Sequence, residues 1–283
     1  MAATRALAFA AVALLAPGVL RASDPEEQKF DPPARMVVVV PVADVRAKPV
    51  PSSGGYERDR LQETQVVEGE IVLVFERKGD WARVACSEQE EYTHNDRWEA
   101  YPGWVQWSAL SPDLSKAKRP ARPDGSEDDL RLRIVEKAAL HLGNTYLWGG
   151  RSLHDPRIRG VATGVDCSGL VSWSYREVGL FPPRDAHEQF MKAFRVEPAD
   201  LQPGDLVFQA SPDSPNYAVH VLIYAGGEEL IESPTTGGKV RRISFEKRFG
   251  IPRLEMRQEM EAAGRVNYFG SLLRALPKAD AGQ

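Results

Sequence analysis

Cysteine is scarce in this chain: 283 residues contain only Cys86 and Cys167. Two thiols exclude a disulfide framework, and with no third they exclude a cysteine-rich metal site. They are free to pair with one another in an oxidising compartment, but the surroundings of Cys167 argue against spending it that way. An excess of positive charge is lacking too. The 36 basic and 40 acidic residues leave a formal charge of -4, so nothing supplies the concentrated field that a nucleic-acid backbone requires. Internal repeats are absent, and the uncharged run at residues 6–20 is too short for a typical membrane-spanning helix. What remains is an ordinary balance for a folded protein, 27% charged and 42% hydrophobic, with length enough for two modest domains or one large one.

The first 22 residues stand apart. Arg5 gives a positive start, the uncharged run follows, and Leu20-Arg21-Ala22 closes it as a cleavage signal. Residues 1–22 therefore read as a secretory signal peptide, with an uncleaved anchor or a misassigned start as the alternative. The expected location is the periplasm or cell envelope, without stable membrane insertion after cleavage. Loss of Arg5 and Arg21 would make the formal charge more negative. No cysteine lies near the cleavage region, so a lipidated N-terminus is not expected.

Residues 37–42, 70–75, 81–86 and 103–107 read as strands, with Lys78-Gly79-Asp80 as a turn. No helical period is sustained there, so residues 32–112 are expected to form a small all-β barrel. Residues 113–125, rich in proline and charge, read as a linker. A helix begins at Ser126, with Glu127, Asp128 and Asp129 near the positive end of its dipole. Leu130, Ile134, Val135, Ala138 and Leu142 give it a buried face, and Gly143 ends it. A second helix is expected from Cys167 or Ser168 to Val178, stopped by Gly179, with Leu170, Val171, Ser174 and Val178 inward. Strands follow at 205–209, 218–224 and 229–233. Helices first and antiparallel strands second indicate an α+β domain at 126–275, leaving 276–283 as a tail.

Cys167 stands at the start of its helix, where unpaired amides and the helix dipole favour a thiolate. A thiolate is the form an acyl-transfer nucleophile needs. A buried cysteine acting as a small hydrophobe is the plainer alternative, but polar Asp166 and Ser168 crowd this one. His220 alternates onto one face of its strand with Leu222 and Tyr224. With Gly226 as the hairpin centre, residue numbers summing to 452 lie opposite, which sets Glu232 against His220. A slip of one residue would turn Glu232 to the other face. Cys167, His220 and Glu232 thus make a candidate nucleophile, base and orienting acid. Among the other histidines, His187 lies in a suggestive segment, while His94, His141 and His154 are expected to be exposed or in loops.

Four blocks in order carry a resemblance: Tyr146-Leu147-Trp148-Gly149-Gly150, Asp166-Cys167-Ser168-Gly169-Leu170-Val171, Gly204-Asp205-Leu206-Val207-Phe208 and His220-Val221-Leu222-Ile223-Tyr224. Together they resemble the successive motifs of NlpC/P60 cysteine peptidases. The resemblance implies a papain-like fold and cleavage of peptidoglycan stem peptides, commonly between γ-D-glutamate and a diamino acid. It implies Cys167 as nucleophile and His220 as base. Glu232 falls where the family often has histidine or another polar residue. Tyr146 would line the cleft beside the nucleophile, with Asp166 and Ser168 among the substrate-binding residues, while Trp148 reads as aromatic packing. Neither cofactor nor metal is implied.

The N-terminal unit resembles a bacterial SH3-like domain at Val42-Ala43-Asp44-Val45-Arg46, Gly79-Asp80-Trp81-Ala82-Arg83-Val84 and Tyr101-Pro102-Gly103-Trp104-Val105. That architecture resembles γ-D-glutamyl-L-diamino acid endopeptidases, in which such a domain walls the cleft and helps select a free N-terminal L-alanine. Pro183-Arg184-Asp185-Ala186-His187-Glu188-Gln189 resembles that subgroup's motif, so Asp185 would receive the substrate amine. Glu63 and Tyr101 are the candidates from the β-unit, and residues 153–163 are expected to rim the cleft. The expected partner is a stem peptide or muropeptide. A broader intact-wall hydrolase, an amidase or acyltransferase, and a peptidoglycan-binding protein without turnover are the competing functions.

Overall fold

Valine recurs through the first third of the chain, and its stiff branched side chain suits a pleated surface. In the computed structural model, which describes residues 27–274, that third forms seven strands. They are β1 (Gln28–Val38), β2 (Val42–Arg46), β3 (Gln62–Val67), β4 (Ile71–Lys78), β5 (Trp81–Glu91), β6 (Glu99–Gln106) and β7 (Leu110–Ser111). One antiparallel sheet results, in the order β3-β2-β6-β5-β4-β1-β7. The single strand expected at 37–42 is broken, since Pro41 has no N–H to continue a ladder. Val38, Val45, Val66, Val74, Val84 and Leu110 meet in one core, so the sheet curls on itself. Its end strands do not pair among the described residues, and the expected barrel is therefore open. The expected signal peptide and tail lie outside the described residues.

The expected linker is not free. Lys118 donates its backbone N–H to the Gly69 carbonyl at 2.9 Å, and the Arg119 guanidinium lies 4.0 Å from the centre of the Phe181 ring. Helix α1 (Glu127–Ala139) follows, with a capping box in which Ser126 and Asp129 satisfy each other's backbone N–H,. Leu130, Ile134, Val135 and Ala138 are buried as expected. Leu142 is exposed instead, because the helix has ended before it. Helix α2 (Cys167–Arg176) is buried along nearly its whole length, and α3 (Ala186–Lys192) packs beside it. At Gly169 a Cβ would come within 2.0 Å of the Gly150 carbonyl oxygen, so only glycine lets this helix start so close to the preceding loop.

The remaining elements are β8 (Phe194–Arg195), β9 (Leu206–Ser211), β10 (Ser214–Gly226), β11 (Glu229–Glu232), β12 (Arg241–Ser244), α4 (Phe245–Phe249), β13 (Met260–Ala262) and β14 (Arg265–Ser271). They build an antiparallel sheet ordered β12-β11-β10-β9-β14-β13, with β8 on β14. One face packs on α1 and α2 through Ile134, Leu170, Val171, Phe208, Val221 and Ile223. This is the expected α+β arrangement.

The β-unit is joined to helix α2 and the loop before it through buried charge. Glu70, at the head of β4, holds Arg151 at 2.6 Å and Arg176 at 3.2 Å, and Arg176 also reaches Glu88 at 2.9 Å. All four residues are buried. Gln65 of β3 accepts from the Arg151 backbone and from the Ser152 hydroxyl.

Candidate active site

The N-cap of α2 fixes the nucleophile candidate. Asp166 accepts from Gly169 N–H at 2.6 Å and from Gly149 N–H at 2.9 Å, tying the loop at 146–150 to the helix start. Arg184 donates to both of its oxygens, at 3.1 and 2.8 Å. These bonds engage both of its oxygens, so Asp166 anchors the start of the helix. Cys167 is the first helical residue, and its amide therefore has no acceptor within the helix. The Ser168 hydroxyl donates to Asp166 and accepts from Arg184.

His220 lies on β10 opposite Gln209 of β9, close enough to Cys167 for that thiol to act on its charge. The Nε2 atom faces Glu232 Oε2 at 3.1 Å, which leaves Nδ1 for the thiol. The hairpin register differs from the expected one. Tyr224 pairs with Leu230 and Ile223 with Ile231, a shift of two residues caused by a bulge at the turn. A shift of two preserves the face, so Glu232 still reaches His220, diagonally instead of directly opposite.

Electrostatics reinforce this line. Burial works against a charged His220, but the neighbouring Cys167 and Glu232 outweigh it and raise its pKa to about 9,. Burial likewise opposes ionised Glu232, yet bonds from His220 and Arg241 and the charge of Arg248 bring it down to about 2. Arg241 donates Nε and Nη2 to Oε1 at 2.9 and 2.7 Å, and Arg248 Nε reaches Oε2 at 3.3 Å. Tyr146 is buried, and burial with the charges of Asp166 and Cys167 keeps its phenol protonated.

A cleft of about 850 Å³ runs past these groups. At one end Tyr101 of β6 places its hydroxyl 3.1 Å from Asp185 Oδ2 and 3.2 Å from Glu63 Oε2. Asp185 occupies the N-cap position of α3 without bonding its own helix. Its carboxylate turns to the cleft instead, and burial raises its pKa to about 6 despite adjacent Arg184. Every residue expected at the site lines this cleft, Asp166 included. Residues 153–163 do not; several of them line a separate cavity of about 620 Å³ against the β-unit.

Sequence reasoning missed other residues here. Arg184 is fully buried and also donates to Thr64 Oγ1 of β3 at 2.7 Å; its place in the Pro-Arg-Asp-Ala segment was the available signal. His94 lines the cleft 5.2 Å from the Tyr101 ring centre, and His187 stacks on Tyr217 at 4.1 Å. His141, expected to be exposed or in a loop, lies in the turn after α1 and is buried against Trp173 because that turn folds back onto α2. Among the described residues no cluster of three His, Cys, Asp or Glu side chains is placed to hold a metal ion.

Residues 143–257 match the NlpC/P60 family model. This part of the chain is an NlpC/P60 domain. Its relatives include peptidoglycan endopeptidase RipB of Mycobacterium tuberculosis, 35% identical over 112 residues, which are 38% of this chain and 44% of that protein. The chain thus spans less than half the length of that relative. The gamma-D-glutamyl-L-lysine dipeptidyl-peptidase of Bacillus subtilis is 26% identical over 240 residues, covering 66% of this chain and 77% of that one. In fold, the NlpC/P60 domain and part of the β-unit resemble the crystal structure of an NlpC/P60 family protein from Bacillus cereus. That likeness has a TM-score of 0.58 at 21% identity and covers 75% of this chain and 94% of the other.

Proposed function

We propose that the protein is an exported cysteine endopeptidase that cuts peptidoglycan stem peptides between γ-D-glutamate and the diamino acid, and that it requires a free N-terminal L-alanine. Cys167 attacks the γ-glutamyl carbonyl, imidazolium His220 protonates the departing amine, and water deprotonated by His220 then hydrolyses the thioester. Glu232 orients the imidazole. The names of the relatives above support the substrate class.

The observation that carries the amino-terminal requirement is Asp185. A helix-capping aspartate normally serves its own helix; this one faces the cleft beside Glu63 and the Tyr101 hydroxyl. Two carboxylates around one phenol make a strong site for an ammonium group. N-acetylation removes that ammonium and the charge-assisted bond it would make to Asp185, at a cost of about 1.5 to 3 kcal/mol, or roughly 10- to 150-fold in kcat/KM. The test is a mass-spectrometric digest of L-Ala-γ-D-Glu-diaminopimelate and its N-acetyl form by wild type and D185A. Wild type should cut the free peptide far faster, and D185A should narrow the gap. Equal cleavage of both peptides by wild type would reject the requirement in favour of a broader wall hydrolase.

A further inference from the structure

Resting on that peptidase reading, we propose that the half of the cleft beyond His220 is a carboxylate subsite, taking an acid group borne by the diamino acid on the leaving side. The cleft is electrically polar along its length. Glu63 and Asp185 stand at one end, Arg58 lies over the Trp148 ring, and Arg241, Arg248 and Arg265 line the other end with Glu232. Hydrogen bonds fix the order of the ends. Asp185 and Ser168 share Arg184, Cys167 follows next to Ser168 and lines the cleft with His220, and His220 meets Glu232, which Arg241 and Arg248 hold.

Three guanidiniums are more than Glu232 can neutralise. Arg241 and Arg248 hold Glu232, and Arg248 also reaches Gln209. The Arg241 side chain is 52% exposed, with Nη1 uncommitted among the described residues. Arg265 does not take part in that clamp. It opens β14, where Asn267 pairs with Gln209 and Gln209 with His220. Two residues from Asn267, Arg265 shares its face of the sheet and lies exposed at the cleft. A planar guanidinium presents paired donors that match a carboxylate.

The direction of the substrate supplies the ligand. With the alanine ammonium at Asp185 and the γ-glutamyl carbonyl at Cys167, the departing amine stands at His220. The rest of the diamino acid then runs into the arginine end. Diaminopimelate carries two carboxylates there, its α-group and its side-chain group, either of which has the required chemistry.

The experiment compares three peptides with the full chain: L-Ala-γ-D-Glu-diaminopimelate and the same peptide with each diaminopimelate carboxyl amidated in turn. At least one amidation should lower kcat/KM roughly 10-fold, and R265Q, checked for an unchanged melting temperature, should narrow that difference. Equal cleavage of all three peptides by wild type, or a difference unaltered in R265Q, would overturn the subsite and leave the peptidase reading standing. No cleavage of any of the three would remove that reading and the subsite with it.

Discussion

Replacing Glu232 by glutamine keeps the shape of the side chain and removes its charge. The buried carboxylate faces His220 Nε2 at 3.1 Å and is held by two arginines. A hydrogen bond to a charged partner is worth about 1.5 to 3 kcal/mol, so E232Q should lower kcat by roughly 10- to 150-fold if the contact is expressed fully on the imidazolium. On the proposed orienting role, in which Glu232 holds no substrate, KM should change little. The sign of the pH effect follows from His220. Its pKa is raised to about 9, in part by Glu232, so the imidazolium persists until pH rises through that value. Without the carboxylate that pKa falls, and the alkaline limb of kcat should move to lower pH. Stability gives an independent reading. Folded Glu232 is held at about 2, below its ordinary 4.5, so its contribution is complete above about pH 4.5 and fades as pH falls through 2. The loss of melting temperature in E232Q should therefore be largest near neutrality and shrink in acid. The assay is a pH series of kcat by mass spectrometry with parallel thermal melts. An unchanged kcat with an unmoved alkaline limb would refute the orienting role.

Three further outcomes are expected. C167A and C167S should each abolish turnover at an unchanged melting temperature. A thiol alkylator should label Cys167 at least about 100-fold faster than Cys86, whose thiol is fully buried and pushed far up by burial and Glu70; peptide mapping that finds equal labelling, with activity retained in C167A, would sink the nucleophile assignment. E70Q leaves Arg151 and Arg176 short of a buried counter-charge and should cost about 3 to 5 kcal/mol in urea unfolding; a loss below about 1 kcal/mol would show that the arginines find other partners.

Legibility in the sequence followed the range of the interaction. Helix starts are local, so Ser126 with Asp129 and Asp166 with Cys167 could be read from adjacent residues. Strand parity is local too, which is why Glu232 was set on the face of His220 even though the turn bulge moved the pairing by two positions. The arginine clamp was not legible, because it depends on β12 and α4 returning beside β11, and no short-range signal marks that return. Nor was the buried network of Glu70, Glu88, Arg151 and Arg176, whose members are distant in sequence and look like ordinary surface charge until the β-unit meets α2 and the loop before it. The burial of His141 and the place of residues 153–163 were not legible for the same reason: their surroundings are set by tertiary packing.

Arg184 has a mechanical consequence. Its one buried guanidinium is fastened to Thr64 in the β-unit, to Asp166 at the root of the nucleophile helix, and to Ser168 beside it. A hinge needs contacts that can be exchanged for others as it opens; tilting the β-unit here would instead strip a partner from a charge with no access to water. The trough is thus a gauge of set width, not a jaw. On the proposed reading, such a trough would sort peptides by whether they fit as they arrive, with no moving wall for a bulky group on the alanine to push aside.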